Sequence, residues 1–254
     1  MPTAVRDPSP ADTSLRKQVY DSLREALTAG RFAPGQKLTF RFVAGALGVS
    51  LTPVREALRR LVAEGAFEMQ PNRSVRVPLM TRDRILELRD IRMALEGMAA
   101  AKAALLADRR QIAGLRQTAL EIATARSRGD NATDRQKIRE FHFGLYAIAR
   151  QPTLLRVIEG LWLQTGPYMN LLYPDFISRP SGPQGRARLV RALQAHDPVA
   201  ARREIENDVG RALSYIADLA DEDGNIAPPT PKAAARRRRG AAPTTSVLEL
   251  GHAQ

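Results

Sequence analysis

The chain contains no cysteine, which excludes disulfides and thiolate metal sites and fits a reducing compartment. Its start, MPTAVRDPSPADTS, has no apolar run of signal-peptide length, and no window approaches a membrane span. The expectation is a soluble, cytoplasmic protein without a membrane partner. No nucleophile motif, phosphate loop or metal-ligand spacing appears, so the sequence does not read as an enzyme. Acidic residues are scarce relative to basic ones, 27 against 39, leaving a net charge of +12.

That positive charge is uneven. Residues 1 to 80 carry +5, residues 224 to 254 carry +4, and only +3 remains for the long middle. Charge loaded at the ends favours a polyanion partner and salt-sensitive binding. At 254 residues and 44% hydrophobic content the chain suffices for two modest domains with real cores. Four segments are expected: a Pro-rich, loose start over 1–13, a first domain over 14–78, a second over 81–220, and an aperiodic, disordered basic tail over 221–254. The Arg236 to Arg239 run in that tail would add non-specific DNA affinity, or serve only to solubilise.

The first domain reads as a DNA-binding unit. Leu15, Val19, Leu23 and Leu27 mark an approach helix stopped by Gly30. Thr39 is placed to cap a short helix ending at Leu47, and Gly48 supplies the left-handed residue that closes it, so Gly48, Val49 and Ser50 form the turn of a helix-turn-helix. Thr52 is expected to cap the second helix, with Pro53 at its first position. Val54, Ala57, Leu58, Leu61 and Val62 give that helix a buried stripe with Arg55 and Arg59 on its border. An arginine near the start of a helix in the major groove can bond guanine bidentately. Phe67 to Met69 and Val75 to Val77 read as strands around a Pro71 to Ser74 tip, a wing lying along the DNA. Taken alone, such a basic helix would more readily be a solvated face; the order of five elements favours the DNA reading.

The second domain, from a helix capped by Thr81 to about Leu219, is helical in period throughout. Helices are expected near 82–107, 110–128, 132–149, 153–165, 183–195 and 198–219, with the longest break at Tyr173 to Gly185. Ionisable groups fall on their apolar faces. Arg92 shares a face with Leu88, Leu95 and Ala99, and Glu96 lies one turn on; His142 lies with Ile138 and Leu145, Arg186 with Leu189 and Leu193, and Asp208 with Ile205 and Ala212. Buried charge is costly unless paired, so these groups point either to a shared polar cavity or to a structural network pairing Arg92 with Glu96 and Arg186 with Asp208.

On these residues, Leu15 to Val77 resembles the winged helix-turn-helix of GntR-type regulators, above all in VYDSLREALTAGRFAPGQKL and SLTPVREALRRLVAEG. The segments ELRDIRMALEGMAAAKAA, REFHFGLYAIARQPTLLRVIEGLW and LVRALQAHDPVAARREIENDV resemble the FCD effector domain of the FadR-type subfamily. The resemblance implies a mostly α protein, a winged helix-turn-helix of three helices and a β-hairpin followed by a six-helix bundle. It also implies a ligand-responsive regulator, a repressor by preference, acting as a homodimer on a palindromic operator. It puts Arg41, Ser50, Thr52, Arg55, Asn72 and Arg73 on DNA, with Arg59 beside them one turn beyond Arg55. Leu51 stands where the family usually has arginine, which implies altered operator preference, and Ser74 where it has glycine, which implies a stiffer wing tip.

Metal-binding members of the family use four positions that correspond here to Ile138, His142, Arg186 and Asp208. Only the histidine is kept, so no metal cofactor is expected. Arg92, His142, Tyr146, Trp162, Arg186 and Asp208 are expected instead to hold a small carboxylate effector. The alternatives are a metal-dependent sensor that keeps a divalent cation, an enzyme working in the helical pocket, and an architectural DNA-compacting protein driven by the tail.

Overall fold

The computed structural model describes residues 10–173, 175–179 and 181–226. The Arg236 to Arg239 run and most of the expected tail lie outside these residues.

Helix α1 (Pro10–Thr28) begins inside the stretch expected to be loose, and Gly30 beyond its end takes φ 66°. Strand β1 (Lys37–Thr39) leads into α2 (Phe40–Leu47), where the Thr39 hydroxyl accepts from the Phe42 N–H at 3.1 Å and Gly48 closes the helix at φ 63°. Helix α3 (Leu51–Ala63) starts one residue before Thr52: Ser50 is the capping position and makes no side-chain cap bond. Thr52 is therefore not the cap, and Pro53 is the third helical residue rather than the first. Proline costs no hydrogen bond there either, because the first four N–H groups of a helix have no internal partner. The helix core is the expected one, with Val54, Leu58 and Leu61 fully buried among Leu23, Leu27, Val43 and Phe67.

Strands β2 (Glu68–Gln70) and β3 (Ser74–Arg76) form the wing, each one residue closer to the tip than expected. β3 is central, with β1 and β2 antiparallel on either side, so Leu38 and Met69 both oppose Val75. Ser74 pairs with Gln70 inside the ladder, is fully buried, and donates its hydroxyl to the Pro71 carbonyl at 2.7 Å. The tight turn falls instead on Asn72 (φ 61°) and Arg73 (φ 51°). Asparagine tolerates the left-handed region; arginine there is strained.

The second domain is the expected bundle of six helices: α4 (Arg82–Leu106), α5 (Arg109–Ser127), α6 (Asn131–Ile148), α7 (Pro152–Thr165), α8 (Ser181–Gln194) and α9 (Pro198–Ala217). A 3-10 segment, Gly166–Leu172, prolongs α7. α4 runs along α9, and the small side chains Ala99, Ala100, Ala103 and Ala104 are all buried. α8 begins within the stretch expected as a break. After α9 the chain does not become disordered at 221. Ile226 is 1% exposed, its N–H donates to the Met80 carbonyl, and the Arg82 N–H donates to the Gly224 carbonyl, so the chain turns back over the start of α4.

The two domains share a seam. Leu163 of α7 is buried in the core of the first domain, and Glu159 pairs with Arg24 at 2.6 Å. At Gly166 a Cβ would overlap the Leu27 carbonyl and stand 2.9 Å from the Thr28 Cα, so only glycine lets α1 and the 3-10 segment approach this closely. The buried Tyr168 hydroxyl accepts from the Met80 N–H at 2.6 Å and donates to the Pro78 carbonyl at 2.9 Å, fixing the connector between domains. Burial pushes this phenol up to about 12, so it stays a donor at any physiological pH.

Candidate functional site

Two surfaces carry the chemistry. The first is built from α2, α3 and the wing. Arg41, Ser50, Thr52, Arg59, Asn72 and Arg73 are exposed, and Arg55 is half-buried on the edge of the α3 stripe. Among the described residues, the guanidinium groups of Arg41, Arg55, Arg59 and Arg73 have no ion-pair partner, whereas Arg16 neutralises Glu56 at 3.0 Å and Arg60 is tied to Glu64. Leu51 packs against the domain core, so the residue replacing the family's arginine turns inward.

The second surface is a cavity in the helical bundle, with room for about 90 Å³ of water-sized occupants, that opens in part to solvent. Arg92 of α4, Ile138 and His142 of α6, Trp162 of α7, Arg186 of α8 and Asp208 of α9 all line it. The inward-facing groups thus converge, as the helical period requires. Tyr146 does not reach the cavity wall: its hydroxyl donates to Glu96 and lies 2.7 Å from His142 Nδ1, behind the histidine. Burial, then Glu96, push its phenol far above the ordinary value.

The structural pairing of Arg92 with Glu96 is also present. Glu96 is completely buried and accepts from Arg92 Nε at 2.6 Å, from Trp162 Nε1 at 3.0 Å and from Tyr146. Arg92 donates its Nη1 to Thr165 Oγ1 at 2.8 Å and lies over the Trp162 ring at 4.5 Å. Arg92 lines the cavity with its charge already compensated, and it ties the cavity to the residue preceding Gly166.

The second structural pair is absent. Asp208 is bonded to His142 Nε2 at 3.3 Å and to Arg211 at 3.6 Å, not to Arg186. Burial raises the Asp208 pKa, but His142 and the neighbouring arginines outweigh it and hold the carboxyl down at about 2. Arg186 is 7% exposed and has no ion-pair or hydrogen-bond partner among the described residues. Desolvation pulls its guanidinium below the ordinary value, Asp208 opposes this, and the like charge of Arg126 adds to it.

The four positions used for metal in related domains do meet here, and they do not fit a divalent ion. Ile138 offers no donor, Arg186 places a cation in the ligand shell, and His142 and Asp208 are bonded to each other. Among the described residues no three His, Cys, Asp or Glu side chains come together as a ligand set.

Several lining residues escaped the sequence reading. Arg126 and Arg135 enter the cavity, each with a buried Nε that has no partner among the described residues, while Arg126 also grips the buried Asp134 at 3.1 Å. Asp134 was legible, since it precedes Ile138 and His142 on the same four-residue spacing. Tyr173, Phe176, Ile177 and Arg179 come from a segment without periodicity, and no pattern marks them. Thr28, at the end of α1, brings the first domain to the cavity wall.

No helix among the described residues is long and apolar enough to cross a membrane. The model of the bacterial regulatory proteins of the gntR family matches residues 15–77, and that of the FCD domain matches residues 87–210. The HTH-type transcriptional regulator McbR of Escherichia coli K12 is 34% identical over 160 residues, covering 63% of this chain and 72% of McbR. A probable D-xylose utilization operon transcriptional repressor of Paenarthrobacter nicotinovorans is 27% identical over 84% of this chain and 92% of its own length. The solved structure of Escherichia coli McbR superposes with a TM-score of 0.75 at 30% identity, covering 81% of this chain and 97% of that one. These relatives are transcriptional regulators rather than enzymes, and with its winged helix-turn-helix joined to an FCD domain this chain belongs to the GntR family of DNA-binding transcriptional regulators.

Proposed function

We propose that the chain is a repressor whose helical cavity senses a small organic acid without a metal ion. The observation that carries this reading is Arg186: a buried guanidinium facing a cavity, with no protein partner among the described residues. Leaving such a charge unpaired costs several kcal/mol, of order, and an acid bound against it would supply the missing partner. Arg92 positions the wall through Glu96 and Thr165, His142 and Asp208 give the effector a bonded polar pair to meet, and Trp162 supplies an apolar face. A carboxylate in a bidentate contact with Arg186 takes the place that a metal ion holds in related domains.

The DNA face follows the same logic. Ser50 and Thr52 present free hydroxyls at an uncapped helix start, suited to phosphate oxygens, and Arg55 and Arg59 lie beyond them toward base edges. Arg41, Asn72 and Arg73 flank the contact with α2 and the wing. One such helix reads few base pairs, so the account requires a homodimer on a palindromic operator in the cytoplasm. An effector acts only through differential affinity for two arrangements, here two spacings of the paired recognition helices.

Mass spectrometry of small molecules released from natively purified protein, with elemental analysis of the same sample, tests the proposal. The expected result is an organic acid retained by the wild type and lost from Arg186→Gln, with no stoichiometric metal. Near-stoichiometric zinc, nickel or manganese would overturn the metal-free reading.

A further inference from the structure

The cavity holds more positive charge than a single carboxylate can balance. Six arginines line it against one carboxylate, Asp208. Arg92 is compensated by Glu96, Arg126 is paired with Asp134, and Arg211 shares Asp208 with His142. Arg135, Arg179 and Arg186 have no carboxylate within ion-pair distance among the described residues.

Part of this charge is concentrated at one point of the wall. At the first turn of α8, a Cβ placed on Gly182 would lie 3.4 Å from Arg126 Nη1 and 3.6 Å from Arg186 Nη2, so two guanidinium groups flank one point at the positive end of the helix. Asp134 offsets the charge of Arg126, and an anion between the two guanidinium groups would offset that of Arg186. Elsewhere on the wall, Arg135 stands 5.3 Å from the centre of the Tyr173 ring, and the exposed Arg179 lies over Tyr215 at 5.2 Å. Trp162, Met169, Leu172 and Ile177 supply apolar wall to the same cavity.

We infer that the effector is a small dianion on an apolar body, with one negative group at the Arg126 and Arg186 pair and the remaining charge answered by Arg135 and Arg179. This rests on the effector reading above and narrows it from organic acids in general to those carrying two negative charges. Dicarboxylates and phosphate monoesters share this chemistry.

Trp162 is the only tryptophan in the chain and lines the cavity, so its emission reports occupancy directly. The full-length protein, in buffer of fixed ionic strength with chelator present, is titrated with isophthalate, phenyl phosphate and benzoate. These share a benzene ring and differ in charge. At least one of the two dianions should bind about tenfold or more tighter than benzoate. Tight isophthalate binding means two separated poles, and tight phenyl phosphate binding means that both charges lie at the α8 pole. Arg186→Gln should bring the ratio close to one, Arg186→Lys should keep part of it, and circular dichroism checks that both variants are folded. Equal affinity for benzoate and both dianions would overturn the dianion inference and leave an organic-acid sensor standing. If none of the three perturbs Trp162 at millimolar concentration, both the dianion and the effector reading fail.

Discussion

Arg186 and Asp208 share a wall of one cavity and are not paired with each other, and that choice of partners is what makes the site available. Had Asp208 neutralised Arg186, the bundle would hold a closed ion pair. Instead His142 takes the carboxylate and leaves the arginine open. The His142 contact has a measurable consequence. Asp208 falls from the ordinary carboxyl value of 3.8 to about 2 in the folded protein, so its stabilisation is complete above about pH 4 and is lost as pH falls through 2. Between those limits the wild type should lose roughly 2 kcal/mol more stability than Asp208→Asn in urea melts. Identical pH slopes for the two proteins would show that the carboxylate is not held down. At the other surface, Arg55→Ala should cost roughly 1–3 kcal/mol of discrimination between operator and altered operator if Arg55 meets a base edge, leaving non-specific binding nearly intact. Competition binding against single-base variants separates this from a phosphate contact, which would weaken all sequences alike.

At the scale of elements, features with a local chemical cause were legible in the sequence. Thr39 and Thr81 cap because a hydroxyl can reach the free N–H groups of the next turn, Gly48 ends α2 because it tolerates a positive φ, and the 3.6-residue period of Val54, Leu58 and Leu61 fixed the buried face of α3. The same period brought Arg92, His142, Arg186 and Asp208 to one cavity, but it cannot tell the wall from the layer behind it, which is where Tyr146 lies. Elements defined by distant partners were not legible. β1 is three residues long and exists because β3 lies beside it, and Ile226 is ordered because Met80 receives it. Ser181 to Gly185 has the composition of a loop yet opens α8. The connector clamp is of the same non-local kind, since Tyr168 and Met80 stand 88 residues apart. Tyr168→Phe leaves the Pro78 carbonyl and the Met80 N–H without their partner and should destabilise the protein by about 1–3 kcal/mol. A chemical-denaturation midpoint unchanged by this substitution would show that the hydroxyl does not secure the connector.

For the whole molecule, the distribution of charge and the seam between domains belong to one account. The first domain carries net positive charge suited to DNA phosphates, and under the proposed function the positive charge lining the cavity of the second is answered by a small acid. Between them stand Arg92 on Thr165, Gly166 against the end of α1, and Thr28 at the cavity wall, so the cavity and the DNA-binding domain are joined through packed residues. The family assignment establishes DNA binding and leaves the effector mechanism as the central claim. Its most direct test is the affinity of the full-length protein for an operator selected from random DNA, measured in chelator with and without the acid recovered from native protein. The account predicts a severalfold change in operator affinity that persists in chelator and disappears in Arg186→Gln. A response that vanishes on chelation and returns with zinc or manganese would contradict it.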